Sequence, residues 1–401
     1  MGTGITQTTT LANSIRTQYL ADYIDGAEQR KVYDQLATPI GRNMSELIRG
    51  SSVQVEFLSD LAPATVAISQ VTDVTPVTMT DAVASVTPTS RANAIQDSEL
   101  LLIQAYTDYK AKRYARVGEN MQESIDLLAQ YQALTGGLSY SAAARASLDA
   151  GTAGNRLGAA SFSMVDSALM NARCPFYLTK IGGRWAAIMH PDAFYDLRND
   201  SNILAVGQYQ LAEIVLNYEL GEYGNFKLVV TPFAKVFGGA GADNATNVAT
   251  TLSTAAVELA KTIVVASATN ITVGRYLTIG TEETGSTHYE TNERVRVSSA
   301  YVSGTTVDII GSGPNGGLRF PHDAAAPVRN ADSVYPVVFG GPSSLAKVFA
   351  TEVGEYGEIV GPRPEGTVDQ WTTLGWKYYG GYGRLSESWL MRVEVASGLD
   401  A

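Results

Sequence analysis

Residues 97–134 read DSELLLIQAYTDYKAKRYARVGENMQESIDLLAQYQAL, a run without proline. Apolar side chains recur through it at helical spacing, at Ile103, Tyr106, Tyr114, Val117, Met121, Ile125 and Leu128. That is the pattern of one helix with one buried stripe. Asp97 is placed to cap its start, and Gly136-Gly137 to stop it. At 1.5 Å per residue a helix of about 38 residues spans roughly 57 Å. Gly118 costs it about 1 kcal/mol relative to alanine and does not break it. So long a helix with so narrow a stripe reads as a beam lying across a broad domain.

Upstream the composition changes. Residues 61–91, LAPATVAISQVTDVTPVTMTDAVASVTPTSR, are rich in Val and Thr and hold no basic residue before Arg91. Val77 and Met79 alternate with Thr78 and Thr80, the period of a strand with two unlike faces. Pro76 and Pro88 keep this stretch out of a sheet centre. The reading is a long two-stranded excursion, weakly stable alone, whose edges are open to other chains. An ordinary hairpin on the parent sheet is the alternative. Further upstream, behind Gly/Thr-rich residues 1–10, Ile15, Tyr19 and Tyr23 recur at helical spacing. One or two amphipathic helices broken near Gly26 are expected there, marginal without a surface to pack on.

Downstream, residues 155–236 read as α/β. A helix is expected over Ser163 to Arg173 and a buried strand over Arg184–Met189. Another helix starts at His190-Pro191 near Ala193, and a strand covers Phe226–Thr231. Residues 237–247, FGGAGADNATN, read as a linker. Beyond it TIVVA, RYLTI, ERVRVSSAYV and TTVDII are strand-like runs between turns, so residues 248–331 read as a small all-β insert. The remainder is mixed and ends in a strand over Trp389–Val395 that rejoins the first domain.

The 401 residues suffice for two or three domains. Charged residues make up 17%, below the roughly 25% of ordinary soluble domains, as fits a surface largely covered by neighbouring copies. A net charge of −11 and the lack of a basic run argue against nucleic-acid binding by charge neutralisation. Lys110, Lys112, Arg113 and Arg116 alternate with Asp108 and Glu119 and read as a solvated or interface face. One cysteine, Cys174, excludes an intrachain disulfide and reads as inert. MGTGITQTTT carries no signal-peptide pattern, and no apolar stretch approaches the roughly 18 residues of a spanning helix. A soluble chain with no membrane partner is expected.

Catalytic chemistry is missing from the pattern. Gly311, Gly313 and Gly316 match a dinucleotide-binding spacing, but Leu318-Arg319-Phe320-Pro321 follows instead of the helix such a loop needs. A turn explains them. Glu282, Glu283, Glu290 and His288 lack the spacing of a calcium loop and read as solvated. His190 reads as a helix-start residue. No catalytic, cofactor-binding or metal-binding residue is expected, and no cofactor.

The order of parts resembles the Hong Kong 97-type capsid fold of tailed phages. More narrowly it resembles the major capsid family typified by the coliphage N-four shell protein. Residues 189–198 (MHPDAFYDLR), 217–231 (NYELGEYGNFKLVVT) and Leu374-Gly-Trp-Lys377 carry the likeness. It implies an α+β fold divided into seven parts. These are an N-terminal arm (1–45), an extended β loop (46–96), a spine helix of a peripheral domain (97–139), an axial domain (140–238 and 332–370), an inserted all-β domain (239–331), and a C-terminal strand region of the peripheral domain (371–401). The function implied is self-assembly into hexamers and pentamers of an icosahedral head. That head encloses double-stranded DNA without sequence-specific contacts, in the virion, after assembly in the bacterial cytoplasm. Partners implied are further copies of the chain, portal, scaffold and decoration proteins. Ile15, Tyr19, Tyr23, Val74, Val77, Met79 and Val83 are the candidate contacts between subunits. The fold can be cross-linked through a lysine in its extended loop, but residues 46–96 contain no lysine, so no such bond is expected. A tail or baseplate subunit is the alternative, disfavoured by the long helix. A sugar-binding or enzymatic role for 248–331 is a third reading, and the insert offers few aromatics for it.

Overall fold

The computed structural model describes residues 32–40, 52–58, 76–104, 109–135, 139–141, 152–176, 183–200, 221–238, 248–280, 291–330, 333–350 and 354–400, with 61, 63, 65 and 148 besides. In chain order the first elements are β1 (Ala37–Pro39), β2 (Val53–Leu58), β3 (Asp81–Val86), β4 (Thr89–Ser98), α1 (Glu99–Gln104), α2 (Tyr109–Leu134) and β5 (Ser139–Ser141). Next come α3 (Ala159–Asn171), β6 (Trp185–Met189), α4 (Pro191–Asn199), β7 (Glu222–Tyr223), β8 (Phe226–Val230) and β9 (Phe237–Gly238). Then follow β10 (Val248–Thr251), β11 (Thr262–Val264), β12 (Tyr276–Ile279), β13 (Glu293–Val297), β14 (Thr306–Ile310) and β15 (Pro327–Asn330). Last are β16 (Ser333–Gly340), β17 (Leu345–Phe349), β18 (Glu358–Glu365), β19 (Trp371–Arg384) and β20 (Leu390–Val395). This mixed α+β chain forms two compact units. One is built on Ala37–Ile125 and Leu345–Leu385, the other on Val32–Leu36, Asp126–Ser344 and Ser386–Ala401.

In the first unit, β19 organises a five-stranded sheet. It pairs antiparallel with β4 along Trp371–Gly380, with β18 along Trp371–Lys377 and with β17 along Gly380–Arg384. Strand β1 joins β17 in parallel. Leu374, Trp376, Tyr378 and Tyr382 of β19 are buried. Gly383 has no room for a side chain, because a Cβ there would lie 2.4 Å from Val86 Cγ2. Along α2 the buried positions here are Val117, Met121 and Ile125. Trp376 Nε1 donates to Asn120 Oδ1 at 2.9 Å and ties the helix to β19.

The start of the helical run departs from the expectation. Residues up to Ser98 are strand, α1 covers one and a half turns, and the long helix begins only at Tyr109. Its 26 residues span about 39 Å, not roughly 57 Å. Asp97 is no cap. It sits in β4 opposite Thr372, and its carboxylate takes the Arg113 guanidinium in a buried ion pair. Ser98 Oγ instead accepts from the Leu101 N–H at 3.2 Å, the geometry of an N-cap. At Asp97 and Ser98, the last two residues of β4, pairing with Thr372 and Trp371 of β19 outweighs the helical preference. The buried side of α2 is also less apolar than its pattern, since Gln122, Asp126 and Gln130 are buried on it.

In the second unit the main sheet runs β5-β20-β16-β6-β8-β7, with β9 also pairing β16. Every residue of β16 is buried. It is antiparallel to β20 and β6, while β6 and β8 are parallel. Helix α3 packs Phe162, Val165 and Leu169 into this core. Phe162 meets Phe226 and Phe339 edge-on, with centroids at 5.5 and 5.2 Å. His190 Nδ1 accepts from the Asp192 N–H at 3.2 Å and caps α4, with Pro191 beginning the helix. The Cys174 thiol is buried, which pushes its pKa up to about 12. The segment 371–401 was expected to form one region with the spine helix. It is divided: β19 belongs to the five-stranded sheet, and β20 to the sheet of β16. The segment 332–370 is divided likewise between β16 and the strands β17 and β18. Short strands on either side of a single turn feed different sheets, which their local pattern does not disclose.

At its far end α2 belongs to this second unit. Asp126 Oδ1 accepts the backbone N–H groups of Val32 (2.9 Å) and Asp34 (3.0 Å) and so holds the turn Tyr33–Leu36. Burial pushes the Asp126 pKa up to about 7.

Strands β10–β15 form a separate six-stranded sheet in the order β10-β15-β12-β13-β14-β11. Its two ends meet: Ser253 N–H donates to Val264 O and Ala266 N–H to Thr251 O, both at 2.8 Å. The sheet is therefore a small closed barrel. Leu277, Ile279, Val295, Val297, Val307 and Val328 fill its interior. Two of its strands, β10 and β15, were not legible as strands. In its glycine loop Gly311 N–H donates to Gly316 O and Gly313 N–H to Gly317 O, after which Leu318 N–H bonds Ala260 O. The loop folds back into the barrel, as a turn does, and no helix stands behind it. The Glu282, Glu283, His288 and Glu290 group lies outside the described residues.

Candidate functional site

Strands β2 and β3 form a two-stranded antiparallel ladder from Val53↔Val86 to Leu58↔Asp81, standing where the excursion was expected. Its root is anchored in the first unit, where buried Val53 and Val86 pack with Ala346 and Val348. Towards the tip none of the side chains whose burial is described is buried. Leu58 and Leu61 are exposed, and Val77 (75%), Met79 (52%) and Val83 (51%) project into solvent. Val77–Thr80 is not a strand, contrary to its alternation; the ladder begins only at Asp81. Among the described residues β2 and β3 pair only with each other, which leaves their outer edges open. Apolar side chains and unpaired backbone on one projecting element are what a protein partner covers.

A second exposed apolar surface lies on α1, where Leu100, Leu101 and Ile103 (73%) face solvent. The sequence reading placed Ile103 in the buried stripe. A six-residue helix cannot turn LLLI to one side, and that run was the overlooked signal. Strand β4 beside it is exposed at all positions but one. Of the expected contact residues, Val83 lies on β3 and Val77 and Met79 in the stretch leading into it, whereas Ile15, Tyr19, Tyr23 and Val74 lie outside the described residues. The basic stretch near the start of α2 is split in role: Arg113 is buried against Asp97, and Arg116 is exposed and paired with Glu119 at 2.8 Å. Among the described residues no group of three or more His, Cys, Asp or Glu is placed to hold a metal ion. No described helix is long and apolar enough to cross a membrane.

No protein-family profile matches the sequence, and no curated protein does. Solved structures do match the fold. The capsid of Ralstonia phage GP4 superposes with a TM-score of 0.51 at 10% identity, over 87% of this chain and 84% of that one. The chain has a phage-capsid fold. The capsid of cyanophage P-SCSP1u gives 0.51 at 11% identity over 92% and 88% of the two chains, and that of cyanophage Pam1 gives 0.50 at 13% over 92% and 91%. The capsid fold thus accounts for nearly the whole chain.

Proposed function

We propose that this chain is the major capsid protein of a tailed bacteriophage, of the Hong Kong 97 type and nearest to the N-four-like family. It assembles into hexamers and pentamers of an icosahedral head around double-stranded DNA. The observation that carries the reading is the capsid fold extending over 92% of the chain at near-equal length. The ladder of β2 and β3 adds support, because an open-edged hairpin with an apolar tip is a surface suited to cover by another subunit. In this reading residues 1–45 are an arm passing under neighbours and 46–96 overlap the adjacent subunit. The beam of α2 with β4 and β19 is the peripheral domain, and the sheet around β16 is the axial domain. The barrel is an inserted domain on the surface that stabilises capsomers or carries decoration. Its place is the virion, reached by assembly in the host cytoplasm, with portal and scaffold as partners. The role is structural and not enzymatic.

Closed shells tolerate one chain in several curvatures when contacts are long and repeated. Expression of the full chain alone, followed by negative-stain imaging and sedimentation velocity, tests the proposal. Closed shells or hexamer-sized rings are expected. Straight tubes of stacked rings would assign it to a tail instead. A monomer that stays monomeric with phage lysate added would remove the capsid reading.

A further inference from the structure

The second unit holds a cleft of about 340 Å³ whose chemistry runs against the charge of the chain. Its walls are the outer face of β12, β13 and β14 and residues 232–236 after β8. Among the described residues four cations line it, Lys235, Arg294, Arg296 and Arg319; Asp192 takes Arg294 from outside the lining, and one lining residue is a carboxylate, Glu293. That carboxylate is already engaged. It accepts the backbone N–H groups of Arg319 (3.0 Å) and Phe320 (3.1 Å) and meets His322 Nε2 at 3.0 Å.

Aromatic rings hold the cations in place. The Arg294 guanidinium lies 3.8 Å from the Tyr276 ring centroid, and Arg296 lies 5.8 Å from the same ring. Arg319 sits 4.9 Å from Phe233 and 5.4 Å from Phe320, and Lys235 Nζ is 4.8 Å from Phe320. The barrel register makes this grouping, pairing Tyr276 with Arg296 and Thr278 with Arg294 on neighbouring strands. Arg294 is further fixed by Asp192 Oδ2 (3.2 Å) and Tyr335 Oη (2.7 Å). A guanidinium held over a ring can present paired N–H donors to two oxygens of a phosphate. Tyr276 and Phe233 are partly exposed beside these cations, and a base stacks on an aromatic ring or on the plane of a guanidinium. The volume lies within the roughly 300–1,000 Å³ of small-ligand sites.

We propose that this cleft binds a phosphate ester carrying a planar base: a nucleotide, either free or as one residue of a single strand. Arg296 and Arg319 take the phosphate, Lys235 adds charge behind them, and Tyr276 with Phe233 receives the base. The net charge of −11 conceals the site, because its four cations come from three separate stretches of sequence.

Titration calorimetry on the full-length protein tests this with four probes: deoxyadenosine monophosphate, a ten-residue oligothymidylate, inorganic phosphate and polyglutamate. The nucleotide or the oligonucleotide binds at least tenfold more tightly than inorganic phosphate. Binding of the mononucleotide identifies a free nucleotide as the source, and binding of the oligonucleotide alone identifies a strand. Arg296→Gln with Arg319→Gln weakens that binding tenfold or more. Arg296→Glu, a single change at an exposed position that leaves the fold intact by circular dichroism, does the same. Tyr276→Leu weakens the nucleotide and spares inorganic phosphate. The proposal is overturned if neither nucleotide probe binds, or if inorganic phosphate binds as tightly as they do. Displacement of the nucleotide by polyglutamate, or an Arg296→Glu protein that binds as the parent does, overturns it equally.

Discussion

Replacing Arg113 by methionine keeps most of the side-chain volume and removes one member of a buried ion pair. The pair's side chains are 3% and 9% exposed, so Asp97 would be left charged with little water to solvate it. Breaking such a pair from one side costs about 3–5 kcal/mol. Removing both charges, with Asp97→Leu and Arg113→Met, leaves nothing unpaired and should return stability to within about 1–2 kcal/mol of the parent. The alternative role for Asp97, a helix cap, makes different numbers. Its loss would cost about 0.5–2 kcal/mol, and Arg113 would not matter to it. Urea unfolding of the unassembled subunit, followed by tryptophan fluorescence, separates the two, because Trp371 and Trp376 lie in the same unit as the pair. A coupling of about 3 kcal/mol between the two positions is expected from the double-mutant cycle. Additive effects, or an Arg113→Met loss below about 1 kcal/mol, would refute the argument that the pair locks β4 to α2.

Asp126 binds its proton more tightly in the folded chain, its pKa being raised from 3.8 to about 7. The resulting penalty, on the order of 4 kcal/mol, is complete above pH 7 and relieved as pH falls towards 4. Asp126→Asn keeps the oxygen that both backbone N–H groups use. It should therefore stabilise the subunit by about 1–4 kcal/mol at pH 8 and hardly at all at pH 4.5, as thermal melts at the two pH values would report. Val77→Asp combined with Met79→Asp should leave subunit stability within about 0.5 kcal/mol and abolish shell formation in sedimentation velocity; normal shells would remove the ladder from assembly. Leu277→Ala, at a fully buried barrel position, should cost about 2–5 kcal/mol in urea unfolding of the subunit. Denaturing gels of mature particles should show a single band, since residues 46–96 carry no lysine, and a ladder of covalent multimers would contradict this.

The elements legible in the sequence were those whose partners are local or whose faces differ. The later turns of α2 declare themselves by periodicity, barrel strands β11–β14 by β-branched runs between turns, and α4 by His190-Pro191. Strand β4 was hidden because TSRANAIQDS is exposed almost throughout and so shows no inward and outward alternation. Its existence depends on β19, more than 270 positions away. Strand β19 was itself obscured by glycines that resemble breaks, among them Gly375, whose Cβ would lie 2.8 Å from Asn93 O. Close backbone approach is a tertiary demand with no local signature. The cleft cations were missed for a related reason: Lys235 and Arg319 are brought together only by the closing of the barrel onto the loop after β8.

The neck of the barrel carries a consequence of its own. Ser333 and Val334 pair with Gly238 and Phe237, and the next described rung is Val248 against Asn330. The chain leaves the host sheet and returns to it on neighbouring antiparallel strands, about 5 Å apart. To the host, everything between is a hairpin loop of arbitrary content. Such a joint is an exchange port. A designer who joins another module to the rungs at Phe237–Gly238 and Ser333–Val334 leaves the register of β16 against β20 and β6 as it is.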